Sequence, residues 1–363
     1  MFSTRFTDIL GYIDAIDVDL YAKTRNQLNG SVSRLSPYIT RGVVTLPFVR
    51  DRVLKNNKGK DATKFIQELA WREYFQKVYI EKGSDIFKDL RFTQSYIHKG
   101  NLVPRSLVSP ESGIISIDNA IVDLYDTGYM HNHARMWTAA MFTNIAGYHW
   151  HTPSRWMYYH LLDGDLSSNS LSWQWICGAF SSKQYMMNQE LINGCSIPKD
   201  RQSNTFLDIN RDSVTDMNNL PIFSDTLPLD LPVCLPKIQS IRLDKKKGLV
   251  LYHPWCLDPS FLSDIDLNRV LVIEPSHFDT FPVSQKVMDF ICELAHGVIP
   301  DIQIYVGEVD DLVVDFENDM YFRYNKNVEH FPGTCELNPE LFPGVKGYYK
   351  NFFTFWKECQ RYL

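Results

Sequence analysis

The chain has 363 residues and a mass of 42.2 kDa, enough for two or three domains that each bury a core. Aromatic residues make up 13%, a high share that points to stacking sites or an aromatic helical core. No apolar run approaches the ~18 residues of a membrane-spanning helix. Net charge is −6, yet the first 205 residues carry 23 Lys+Arg against 19 Asp+Glu and the remainder 14 against 24. A basic face for nucleic acid is therefore open to the first part, while the second is acidic.

The start, Met1 to Asp8, has no charged-then-apolar leader. Seven cysteines are dispersed without a CxxC pair, which argues for free thiols in a reducing compartment and against zinc or an iron–sulfur cluster. A cytosolic protein is expected.

Residues 1–20 read as a helix, with Phe6, Ile9, Leu10 and Ile13 apolar at helical spacing. Tyr21 leads into Asn29-Gly30-Ser31-Val32-Ser33-Arg34-Leu35-Ser36-Pro37-Tyr38, a turn followed by a helix start that Ser33 or Ser36 can cap. Backbone amides, hydroxyls and an arginine together suit a phosphate. Phe65 to Phe75 is helical by composition, and Glu68, Trp71, Arg72 and Phe75 lie along one stripe. A carboxylate beside an indole and a guanidinium is unusual for the buried face of an ordinary amphipathic helix. Residues 86–110 read as helix ends and loop, and Ser112 to Ile121 opens a helix pair.

The stretch from Tyr129 to Gln189 carries the most chemistry. Asn132, Arg135 and Met136 fall at i, i+3 and i+4, so they share one helical face. An amide, a guanidinium and a thioether suit the wall of a pocket for a flat polar ring. Asp163-Gly164-Asp165 follows, with Asn169 four residues after the second acid and Trp173-Gln174-Trp175 beyond. Trp156 to Leu162 is apolar nearly all round, hence a buried helix. His131, His133, His149, His151 and His160 show no metal-ligand spacing and read as capping or core histidines.

Residues 206–245 read as a linker or irregular wrap. After them, Gly248–His253, Arg269–Pro275 and Ile302–Gly307 are short buried strands, with a helix between the last two centred on Val287 to Leu294. That alternation predicts a small parallel α/β layer without a nucleotide-binding glycine signature. The expected division is a helical domain over 1–205, the linker, and a small α/β domain over 246–363.

Between Asp19 and Asn188, in this order and spacing, the chain resembles the flavin-binding domain of the cryptochrome/photolyase family. The resemblance implies a mainly α fold whose all-helical domain binds FAD. It gives cofactor contacts to Tyr21, Ser33, Arg34, Leu35, Ser36, Arg72, Asn132, Arg135, Asp163, Asp165 and Asn169. Within that set Asp165 accepts from the ring's imide, Asp163 pairs with Arg135, and Asn169 faces the ring nitrogen protonated on reduction. It gives substrate contacts to Glu68, Trp71, Asn132 and Met136, and the inner and middle electron-relay positions to Trp173 and Trp150. The outer relay position has no tryptophan counterpart, leaving Tyr96, Tyr148 or Trp156. Val32 stands where the family often has a hydroxyl, and Gln189-Glu190 departs from the segment many relatives carry.

The implied activity is light-dependent repair of cyclobutane pyrimidine dimers in DNA by a monomer, with Asn169 favouring repair over signalling. The alternative is a blue-light photoreceptor acting through a protein partner. The trailing α/β piece faintly resembles the family's antenna domain in permuted position, and no antenna pigment is assigned to it.

Overall fold

The computed structural model describes residues 2–96, 100–210, 217 and 219–363. It is 46% helical and contains a five-stranded parallel sheet. Contact density divides the chain into two compact units, one of Met1–Val18, Ser33–Tyr74 and Pro232–Leu363, the other of Asp19–Val32 and Phe75–Leu231. This cuts the sequence elsewhere than the expected boundaries at 205 and 245.

In the first unit, the predicted helix over 1–20 is two helices, Phe6–Asp14 and Val18–Thr24, the second running on into the other unit. The first ends at Ala15, and the break sits on Ile16-Asp17. Asn57, buried, bridges it by donating to the Ile16 and Val53 carbonyls and accepting from Val18 N–H. The 20-residue helix Thr63–Lys82 is far longer than its predicted core.

The sheet lies in the same unit. Its strand order is Gln303–Val306, Asn268–Ile273, Leu249–Tyr252, Met320–Arg323, Thr334–Glu336, all parallel. Leu249–Tyr252 is central and buried at every residue, as expected for a parallel strand covered on both faces. The chain lays strands outward to one side, then returns past the centre to lay two more, a doubly wound arrangement. The last two strands went unread in the sequence because they are short and flanked by charged and turn residues. Helix Gln285–Val298 forms where predicted, capped by the Ser284 side chain on Val287 N–H.

His253 follows the central strand and is fully buried. Its Nε2 is 2.8 Å from the Arg323 carbonyl and its Nδ1 accepts from Trp255 N–H at 3.3 Å, so the neutral ring fills both roles. Burial pushes the imidazole down from 6.5 to about 4. Between those values the unfolded chain binds the proton and the folded one does not. Stability is therefore full above pH 6.5 and falls as pH drops toward 4, by up to about 1.4 kcal/mol per pH unit from this group. Urea unfolding should show that slope in the native chain and lose most of it in His253→Gln.

The second unit is helical around one aromatic core that includes Trp137, Trp150, Trp156 and Trp173. Helix Ile115–Thr127 ends on Gly128 in the left-handed region, and helix His151–His160 is buried along Trp156 to Tyr159 as predicted. Residues 86–110 hold a short strand, Leu102–Pro104, pairing antiparallel with Thr226–Pro228. The expected linker therefore contributes a strand, and buried Leu207 and Phe223, to this core. Residues 211–216 and 218 of that linker, and 97–99 of the preceding loop, lie outside the described residues. No helix among the described residues is long and apolar enough to cross a membrane, and all seven cysteines are free.

Candidate functional site

Helix Asn132–Ala140 opens at His131, whose Nδ1 accepts from His133 N–H at 3.1 Å. His149 accepts likewise from His151 N–H at 3.2 Å, so two of the five histidines cap turns. Ala134, Trp137, Thr138, Ala139 and Ala140 face the core, which leaves Asn132, Arg135 and Met136 on the more open side. Asn132 Nδ2 lies 4.0 Å from Met136 Sδ. Arg135 donates through Nη2 to both oxygens of Asp163 at 3.1 and 2.9 Å and through Nε to the Met130 carbonyl at 2.8 Å. The Asp163 side chain is only 4% exposed, so the pair is largely withdrawn from water.

Between the two acids, a Cβ on Gly164 would stand 3.0 Å from the Tyr158 carbonyl and 3.1 Å from that of Leu161. The turn thus needs glycine there. Asp165 caps helix Leu166–Cys177, its Oδ1 accepting from Ser168 N–H at 2.7 Å and Ser167 Oγ at 2.6 Å. Its Oδ2 accepts from Gln76 Nε2 at 2.7 Å. Gln76 was not singled out in the sequence, although it stands four residues after Arg72 on a helix already in view. Asn169 donates through Nδ2 to the Ser154 carbonyl at 2.9 Å. Tyr21, half-buried on Val18–Thr24, also belongs to this unit.

The remaining predicted cofactor and substrate residues lie in the first unit. Leu35 precedes the short helix Ser36–Thr40, which has no side-chain cap; Ser33 Oγ instead accepts from Leu35 N–H at 3.4 Å. The expectation that Ser33 or Ser36 caps the helix is corrected, because a capping side chain must reach the helix's own second or third N–H. Leu35 is fully buried, backbone and side chain alike. Arg34 is exposed and has φ 50, an uncommon conformation for a residue with a side chain. Arg72 Nη2 donates to Thr40 Oγ1, and Glu68 pairs with Lys64 at 3.2 Å. Trp71 lies flat against Phe352, ring centroids 3.5 Å apart at 11°, with Phe353 edge-on at 6.2 Å. One face of the indole predicted to stack on substrate is thus covered by the protein's own ring.

The relay candidates are all in the second unit. Trp173 and Trp150 are buried. Trp150 Nε1 donates to Asp89 Oδ1 at 2.8 Å. Tyr96 packs against His149 at 4.5 Å, while Trp156 reaches Phe142 at 5.5 Å, itself 6.0 Å from Trp173. Tyr148 is buried, its hydroxyl 3.5 Å from the Phe223 carbonyl.

Residues 65–204 match the family described as the FAD binding domain of DNA photolyase. That segment, less than half of the chain, is where the likeness to the cryptochrome/photolyase family lies. Similar curated proteins include the deoxyribodipyrimidine photo-lyase of Streptomyces griseus, 29% identical over 41% of this chain and 32% of its own length. That of Alkalihalophilus pseudofirmus is 32% identical over 39% of this chain and 30% of its own. Cryptochrome DASH of Xenopus laevis is 29% identical over 44% of this chain and 32% of its own. The chain thus spans about a third of the length of these relatives. A cryptochrome structure from Synechocystis aligns at 21% identity and TM-score 0.48, over 53% of this chain and 44% of that one.

FAD is the cofactor of this photolyase-type domain, and the residues present fit it. Ser168 Oγ is buried with no partner in the same turn that Asp165 caps, a polar group left for something bound. Asp165, an acceptor only when ionised, is held in place at that turn by Gln76 and Ser167. The Asn169 amide keeps its oxygen and one N–H beyond the bond to Ser154.

Proposed function

We propose that this chain repairs cyclobutane pyrimidine dimers in DNA by light-driven electron transfer, as a cytosolic monomer. The observation that carries the reading is the paired Asn132 amide and Met136 thioether on the open side of their helix. They share that helix with Arg135, which pairs with the flavin-side carboxylate Asp163. Asn169 supports it, since a neutral amide tolerates the reduced anionic ring that a carboxylate would repel. The names of the photo-lyase relatives support it too.

Bound FAD supplies the light absorption and the electron. The protein's part is to hold the lesion and exclude water. In this proposal Asn132 and Glu68 hydrogen-bond the dimer, and Met136 and Trp71 give it apolar and aromatic surface. A dimer is weakly paired, so drawing it from the duplex costs only a few kcal/mol. The dimer gains one electron, its cyclobutane ring opens, and the electron is given back. No atoms are added or lost, and no protein nucleophile or base takes part.

Glu68→Ala tests the division between flavin and substrate. The Glu68–Lys64 pair is substantially exposed, so losing it should cost under about 1 kcal/mol of stability. A hydrogen bond to a charged group is worth about 1.5–3 kcal/mol, so repair should fall roughly tenfold to a hundredfold with flavin retained. Loss of flavin instead would place Glu68 on the cofactor side.

One observation favours the second reading, a photoreceptor that signals through a protein partner. Phe352 already occupies one face of Trp71, which suits a chain that stacks no base there. The α/β segment over 246–363 is, in our reading, a permuted counterpart of the family's antenna domain, supported by its doubly wound parallel sheet.

A further inference from the structure

Four indoles are buried in the core of the second unit, and their surroundings treat the N–H differently. Trp150 Nε1 donates to a carboxylate, Asp89 Oδ1, at 2.8 Å. Trp156 Nε1 donates to the Tyr125 hydroxyl at 2.9 Å, which donates on to the Val108 carbonyl at 2.5 Å. Trp137 Nε1 is buried without a partner. The second oxygen of Asp89 accepts from Gln94 N–H at 3.1 Å, so the carboxylate is fixed in place. His149 Nε2 stands 3.6 Å from Asp89 Oδ1, and its ring stacks on Trp150 at 5.7 Å and 27°.

The difference matters once an indole loses an electron. The oxidised ring becomes a far stronger acid, and the hole is trapped only where a positioned base takes the N–H proton. A carboxylate is such a base at neutral pH. A phenol is not, and burial holds that of Tyr125 protonated, pushed up to about 12. Tyr96 is no better placed: its hydroxyl donates to Cys177 Sγ at 3.2 Å, and burial pushes that thiol up to about 11.

We propose that Asp89 is the proton acceptor for Trp150 during photoreduction of the bound flavin, which makes Trp150 the residue where the electron hole is trapped. One electron passes from Trp173 to the light-excited oxidised flavin and is replaced from Trp150. The N–H bond of Trp150 breaks, its proton goes to Asp89 Oδ1, and Trp150 is left as a neutral radical, the flavin one electron richer. His149, more exposed than Asp89 at 27% against 14%, carries the proton on toward solvent. An external thiol then restores Trp150. The inference rests on the relay role of Trp173 and Trp150 and is independent of the choice between repair and signalling.

The test is flash spectroscopy of the FAD-loaded protein in its oxidised form, with a thiol as reductant. The native chain should give the neutral indolyl radical, forming more slowly in heavy water. Asp89→Asn keeps the shape and an acceptor oxygen but takes no proton, so proton loss should slow at least tenfold and the cation radical should revert. Native-rate formation of the neutral radical in that variant overturns the proposal. Trp150→Phe separates the two layers: undiminished photoreduction there removes the relay itself. A readout without flavin guards against misfolding. The Trp150 indole N–H of the flavin-free protein should resonate downfield and exchange slowly, held by its bond to the Asp89 carboxylate. It should move upfield in Asp89→Asn, and a resonance that the substitution leaves in place contradicts the geometry.

Discussion

Asp163→Ala should yield a folded but colourless protein. The substitution leaves the Arg135 guanidinium, its side chain 23% exposed, without its carboxylate. Breaking a buried pair by removing one partner costs about 3–5 kcal/mol, and the residual exposure of Arg135 argues for the low end. About 3 kcal/mol corresponds to more than a hundredfold in affinity if it falls on flavin binding. The Nε bond from Arg135 to Met130 survives, so the helix Asn132–Ala140 should remain formed. Flavin released per chain after denaturation measures the loss directly. Asp163→Asn, which keeps a hydrogen-bond acceptor but no charge, should fall between. A fully yellow Asp163→Ala protein would mean that the pair stands apart from the cofactor.

Phe352→Ala should cost the first unit about 3–5 kcal/mol, the usual toll for truncating a buried aromatic ring. Phe352 is 2% exposed and sits between Trp71, stacked at 3.5 Å, and Trp356, parallel at 10° and 6.3 Å, with Tyr74 edge-on at 5.8 Å. For a unit of this size that is a fall of roughly 10 °C in Tm. A loss under about 1 kcal/mol would show that the stack does not persist in solution. The variant also bears on function. If substrate uses the face that Phe352 covers, dimer-containing DNA should bind more tightly to Phe352→Ala in the dark. Unchanged binding would mean that substrate does not use the face that Phe352 covers.

These two cases show what a sequence can and cannot carry. Arg135, Asp163, Asp165 and Asn169 were legible because the chemistry lies within 35 residues, in a helix face and a glycine turn of fixed spacing. The partner of Trp71 was not, since Phe352 is 281 residues away and nothing local ties the two. Gln76 was hidden for a similar reason: its bond to Asp165 spans 89 residues. The three apolar strands of the sheet announced themselves by β-branched runs, whereas Met320–Arg323 and Thr334–Glu336 are strands chiefly because neighbouring strands offer them a ladder. The same context dependence explains the broken first helix, whose apolar spacing continues past Asp14 while Asn57 holds the chain in a turn.

Counting intact dimers settles the central claim. Chemically reduced protein is mixed with an oligonucleotide bearing one cyclobutane dimer, single- or double-stranded, and compared in the dark and under saturating blue light. The account predicts that dimers disappear only in the light, with many turned over per chain and no change in the flavin's redox state. Dimers that survive unaltered, on a protein that has demonstrably kept its reduced flavin, would contradict it.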